Sequence, residues 1–328
     1  MVIPSSPSVL KSIRDGFNAI TDHLILVLFP VSLDLLLWFG PHLRIRDQIF
    51  SLLDEMSALS SLNSGEMTDL ITTGEEFWRT AAERINLLVS LRSYPIGVFS
   101  LLSSIYPIEH PLGEPAFFEI STLGGAVLLG LVLMVVGICL GAVFFSAVKQ
   151  AALHDEMRWR DLVQKWPRHL LQSLWLGLIW LGLFLAVTVV GSCAAAALLL
   201  IGPMFGQLAV LVLGVIYTWM LFPLFFSPHG IFSRQLNAWR SVVESIKLTN
   251  LTFLKTGLFI LFAVLASQGM DVLWRTPPED SWLMALSILG HSFVTTGVLA
   301  ASFVYYRKVS IWLEEIQALR EVYSQGVE

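Results

Sequence analysis

A chain of 328 residues that is 55% hydrophobic and only 14% charged, with a mean hydropathy of +0.72, is excluded from the ordinary soluble domains, in which charged residues make up about 25%. The formal net charge of −5 says little as a total, because in a membrane chain the place of each charge decides its meaning. Cys139 and Cys193 both fall inside apolar segments, so they read as packing residues and not as a disulfide framework.

In chain order, Val9, Ile13, Phe17 and Ile20 repeat at helical spacing beside Lys11 and Arg14, as in a helix lying on the inner membrane surface. A first span is expected over 21–40, kinked at Pro30 and carrying Asp34. This apolar stretch is long enough to span and lacks a small-residue cleavage site, so it is expected to be retained.

Residues 41–115 form the longest connection. Ile45, Ile49, Leu52, Leu53, Met56 and Leu59 repeat at helical spacing, and Thr73-Gly-Glu-Glu76 reads as a capping box that opens a second helix. The run Tyr94 to Tyr106 is too short to cross, since a crossing needs about 20 residues. It reads as a re-entrant or interfacial piece, followed by a linker with Pro107, Pro111 and Pro115. The connection is rich in carboxylates and is expected to be an acidic helical cap on the outer face.

A second span lies within 117–147, where Gly130, Gly137 and Gly141 share a face. Small residues at that spacing let another helix, of this chain or of a partner, approach closely. The link 149–169 is polar. Further spans are expected over 170–192, 205–226, 254–274 and 282–304, with a tight outer turn at 275–280 and a separate amphipathic tail over 309–328. Lys and Arg concentrate in the segments that would be inner if both termini are cytoplasmic, which sets the orientation in a plasma membrane.

Trp159 to Leu178 and Trp239 to Leu258 align without gaps, Trp159-Arg160 on Trp239-Arg240 and Gly177 on Gly257. Ser8 to Arg14 matches Ser241 to Lys247. The expected fold is therefore an all-α integral membrane protein. Six transmembrane helices form three amphipathic-helix-plus-hairpin repeats, and a helical outer cap is inserted after the first span. The alternative is that amphipathic helices entering a membrane simply look alike.

Catalytic motifs fail in turn: there is no H-E-x-x-H, no G-x-x-x-x-G-K-[ST], no G-x-S-x-G and no Cys/His cluster at metal spacing. No cofactor, metal or nucleic acid is expected. His23, His42, His110, His154 and His169 sit at span ends or in connections and read as solvated. Asn250-Leu-Thr252 matches a glycosylation acceptor, but on the inner side. Trp159, Arg160, Trp239 and Arg240 are candidate contacts for lipid headgroups, although simple anchoring of the helices at the interface is the reading they favour. Asp34, Gln268, Asp271 and His291 form a candidate polar cluster in the outer half of the membrane, because ionisable groups there are costly. The equal alternative is a set of satisfied interhelical hydrogen bonds.

Leu153-His-Asp-Glu-Met-Arg-Trp-Arg-Asp-Leu162 before the third span and Ser227-Pro-His-Gly-Ile-Phe-Ser-Arg-Gln-Leu236, running on into Ala238-Trp-Arg-Ser-Val-Val-Glu-Ser245, resemble a group of bacterial polytopic proteins. These include the membrane domain attached to some glycerophosphodiester phosphodiesterases. The resemblance covers about residues 117–305. It implies architecture and membrane residence, and it supplies no catalytic residue. The chain departs from it in having the acidic insertion and no phosphodiesterase domain. Three function classes stay open: a non-enzymatic membrane module that handles lipid or supports a partner, a transporter or permease, and an intramembrane enzyme.

Overall fold

The computed structural model describes residues 6–60, 67–154 and 157–325. Five helical stretches among them are long and apolar enough to cross a membrane, or six if one bent pair counts as a span. The chain is a membrane-embedded, almost wholly helical protein.

Helix α1 (Val9–Asp22) is capped by the Ser8 hydroxyl and buries Ser12, Gly16 and Ile20 along one stripe. That stripe lies lengthwise and antiparallel on α12 (Leu283–Gln325): Asp15 meets Lys308 at 2.7 Å, Phe17 packs edge-on against Phe293, and a Cβ on Gly16 would sit 2.3 Å from the Ala301 backbone. The expectation of a helix resting on the inner surface is therefore corrected for α1. Its small residues match the small residues of α12, and two helices close up wherever neither carries bulk.

The chain then bends by 92°. A 3₁₀ turn (Leu24–Val27) leads into α2 (Leu28–Phe39). The bend falls at His23 and not at the expected Pro30, because Pro30 sits in the first turn of α2, where a missing N–H costs nothing. Residues 24–39 alone reach only about 24 Å at the helical rise, short of the roughly 30 Å hydrocarbon core.

Between α2 and α5 (Leu123–Leu153) lies the cap. Its two ends are tied together by short parallel strands, β1 (His42–Arg44) and β2 (Phe117–Glu119), with His42 opposite Phe117. Helices α3 (Arg46–Ser60) and α4 (Met67–Arg84) form an outlying hairpin, joined by Arg79 of α4 to Asp54 of α3, with Glu75 one turn back on α4 supporting the same guanidinium. Thr73 lies inside α4 and not at its start, so the expected capping box does not open this helix; its side chain, with those of 59–72, lies outside the described residues. The second part of the cap, residues 86–106, is the opposite of outlying. Ile96, Val98, Leu101 and Leu102 are buried in the main core, together with Phe144, Phe145, Phe232 and Phe303.

Helix α6 runs unbroken from Trp159 to Leu199, through Pro167. The expected in-plane helix before the third span is thus continuous with the span. Nothing local stops it, whereas Asn237 caps α9 (Ala238–Leu251) through Arg240 N and Thr252 ends it. After Gly202, Pro203 opens α7 (Pro203–Leu224), and α8 (Ser227–Arg234) precedes α9. Helix α10 (Phe253–Val264) continues through a π turn (Leu265–Gly269) into α11 (Met270–Trp274). The expected separate tail is instead the second half of α12 as far as Gln325, with 326–328 outside the described residues.

The α6–α7 hairpin contrasts with the core. Leu185, Val189, Val190, Leu208, Val210 and Leu211 are all more than half exposed, as side chains are that have lipid for a solvent.

Candidate functional site

Asp34 projects from α2 and is fully buried. It accepts hydrogen bonds from the Ser100 hydroxyl at 2.5 Å, Leu101 N at 3.1 Å and Leu102 N at 3.0 Å. Three donors and no acceptor converge on it, which is what an ionised carboxylate satisfies. All three come from the run Tyr94 to Tyr106, so the acidic residue of the first apolar segment fastens the buried part of the cap.

Asp271 on α11 and His291 on α12 do come together. His291 Nε2 lies 3.5 Å from Asp271 Oδ1, at the outer limit of a hydrogen bond, and the other carboxylate oxygen is 3.5 Å from Arg275. Asp271 Oδ1 and His291 Nδ1 are buried without a hydrogen-bond partner. Gln268 does not join them. It is exposed on the π turn, where i→i+5 hydrogen bonding removes the stacking expected between residues 268 and 271. The expected four-residue cluster is thus a pair, with Asp34 separately bonded.

What relates these groups is a residue the sequence reading passed over. Arg92, in the cap, donates to the Ser100 carbonyl at 3.1 Å and the Ser103 hydroxyl at 2.7 Å. It thereby braces the turn whose Ser100 hydroxyl donates to Asp34. Arg275 reaches the same segment through the Ser104 hydroxyl at 2.9 Å. Residues 100–104 therefore sit between the acidic groups of α2 and of α11.

A second clamp also went unread. Glu279, in the turn after α11, takes Arg84 at 2.7 Å and Ile108 N at 3.0 Å on its carboxylate, and Trp38 Nε1 at 2.9 Å on its carbonyl. The only sequence signal was a carboxylate beside Asp280 in a short turn, which is uninformative without its partners.

The Gly137–Gly141 face does allow close approach, but to the cap. A Cβ on Gly137 would lie 2.2 Å from the Leu91 carbonyl oxygen, and one on Gly141 2.5 Å from Gly97 Cα; Gly130 stands 3.9 Å from Ser90 by the same measure. Trp159, Arg160, Trp239 and Arg240 are all exposed.

At the end of the bundle away from the cap, α5 and α6 enclose a cavity of about 520 Å³. Ser146 and His169, bonded at 2.8 Å, line it, and Gln235 holds the other ring nitrogen at 2.9 Å. The partner of the imidazole is an amide, where a nucleophilic serine would need a carboxylate to support imidazolium. His169, expected to be solvated, is buried, because α6 continues past it.

Comparison with protein-family models, with curated proteins and with solved structures finds no match for this chain.

Proposed function

We propose that this protein is a non-enzymatic membrane module, closed on its outer face by a fixed cap, that handles or organises lipid. The observation that carries this reading is Asp34: the fully buried carboxylate of the first apolar segment is taken up by three hydrogen bonds from the cap. A transport site or catalytic acid needs its charge available to substrate. The outward face of the α6–α7 hairpin and the exposed Trp159, Arg160, Trp239 and Arg240 are the surfaces that meet lipid. The cap takes the outer side and both termini the cytoplasmic side of the plasma membrane, following the excess of Lys and Arg in the inner connections. The three-repeat organisation, and the architecture implied by the resemblance to the membrane domain of glycerophosphodiester phosphodiesterases, belong to the same reading.

The test is the cap's fixity. Spin labels on Thr80 and Ser281 of protein reconstituted in phospholipid bilayers should give one narrow distance distribution that candidate solutes leave unchanged. A second distance that grows on adding a solute would indicate alternating access and replace the module with a transporter.

A further inference from the structure

The cavity between α5 and α6 gathers cations from three elements. Lys149 comes from the last turns of α5, Arg158 and Lys165 from the start of α6. Arg307 of α12 is held at its edge by the Leu153 carbonyl at 2.9 Å. Among the described residues none of these four has an ion-pair partner, and Asp161 is the carboxylate among the described lining residues. His154, just beyond α5, registers the crowding. Burial pushes its pKa down first, and Lys149, Arg307, Lys165 and Arg158 all push it further the same way. Like charges left together beside a cavity destabilise the fold unless an anion neutralises them.

We infer that this cavity is a binding site for a phosphate-bearing anion, held by Lys149, Arg158 and Lys165 with Arg307 at its rim. The volume is of the order of a small-ligand site, whose range is about 300–1,000 Å³, so a glycerophosphate-sized headgroup fits it. Lysine and arginine supply the charge-assisted donors that phosphate oxygens accept. The cavity opens where long apolar helices leave their polar ends, the position in which basic pockets between spanning helices take anionic lipid headgroups. The source of the anion, a lipid headgroup and not a free phosphate compound, rests on the module reading above; the chemistry of the site does not.

The test uses the full-length protein in neutral detergent, titrated with phosphatidylglycerol, with phosphatidylcholine or with inorganic phosphate, and read by native mass spectrometry. Wild type should retain phosphatidylglycerol preferentially at physiological salt. K149Q/K165Q should weaken that retention about thirtyfold, on the scale of two lysines near an anionic surface. K11Q, which removes an exposed cation of α1 that does not line the cavity, should leave it unchanged. The single K165Q, at an exposed position that cannot disturb folding, should weaken it about fivefold on the same scale. Equal retention by wild type and both lysine variants of the cavity, or an equal loss in K11Q, overturns the site. Displacement of the lipid by millimolar inorganic phosphate supports the chemistry and assigns a soluble source; lack of displacement supports the headgroup. A lysine-dependent lipid together with a cap that moves on adding solute would keep the site and overturn the module.

Discussion

Gly141 of α5 meets Gly97 of the cap backbone to backbone, so closely that a Cβ on Gly141 would come within 2.5 Å of Gly97 Cα. One turn earlier Gly137 does the same with the Leu91 carbonyl. A glycine spacing usually associated with paired helices here seats a 3₁₀ turn (Leu87–Leu91) and the irregular chain that follows it. That segment carries its own polar backbone into the bundle and must find hydrogen bonds there; Asp34 accepts two of them, from Leu101 N and Leu102 N.

Gly137→Ala and Gly141→Ala should therefore lift the cap. Each forces backbone to move and should cost about 1–3 kcal/mol, the scale of overpacking. Gly182→Ala, with nothing within 4 Å, should be neutral or stabilising by up to about 1 kcal/mol. Thermal unfolding in detergent gives the ranking, and trypsin cleavage after Arg92 reports lifting. Equal behaviour of all three variants would dissociate the glycine face from the cap.

Asp34→Asn should be harmful, isosteric though it is. The amide places N–H₂ where a second acceptor is required, leaving Leu101 or Leu102 N–H unpaired at a cost of about 1–3 kcal/mol. Asp271→Asn, which disturbs only two contacts of 3.5 Å, should cost less. The reverse order of melting temperatures would show that the cap does not depend on Asp34.

Glu279→Ala should destabilise more than Arg84→Ala, because it also strands Ile108 N. The Arg84–Glu279 pair is partly solvent-exposed, so a double-mutant cycle should return no more than about 1 kcal/mol of coupling. A coupling as large as the whole effect of Glu279→Ala would mean that the backbone donor contributes nothing.

The cap should weaken in acid. Burial pushes the His42 imidazole below the ordinary histidine range, outweighing its hydrogen bond to the Leu37 carbonyl, and Arg44 adds to the shift. The unfolded chain takes up this proton near pH 6.5, at about the free value, and the folded chain only at lower pH. The stabilisation is therefore complete above that value and is lost as the pH falls toward the folded pKa. His42→Gln should flatten part of this dependence in melting temperature between about pH 7 and pH 5. A residual slope is expected from His154, which is shifted in the same direction. An unchanged slope would remove His42 from the explanation.

The sequence by itself determined which segments are apolar, because hydropathy is a sum over neighbours in the chain. It therefore located α7 and the stretch α10–α11 closely, and placed α5 six residues early, since the helix continues to Leu153 into the stretch expected as a polar link. It also showed that the Gly137–Gly141 face needs a close neighbour and that Asp34 cannot face lipid. It did not determine where helices stop when only their surroundings change. Polarity rises sharply at Arg307-Lys308 and falls after His169, yet α12 and α6 run straight through both points, since backbone hydrogen bonding does not depend on the solvent around the side chains. Nor did it determine partners. Asp34 bonds residues 66 to 68 positions away, Glu279 bonds Arg84 across 195, and Arg92 carried no local signal at all. Tertiary structure alone decided these contacts, because a buried charge takes whichever donors the packed backbone brings to it, and that choice is made across space and not along the chain.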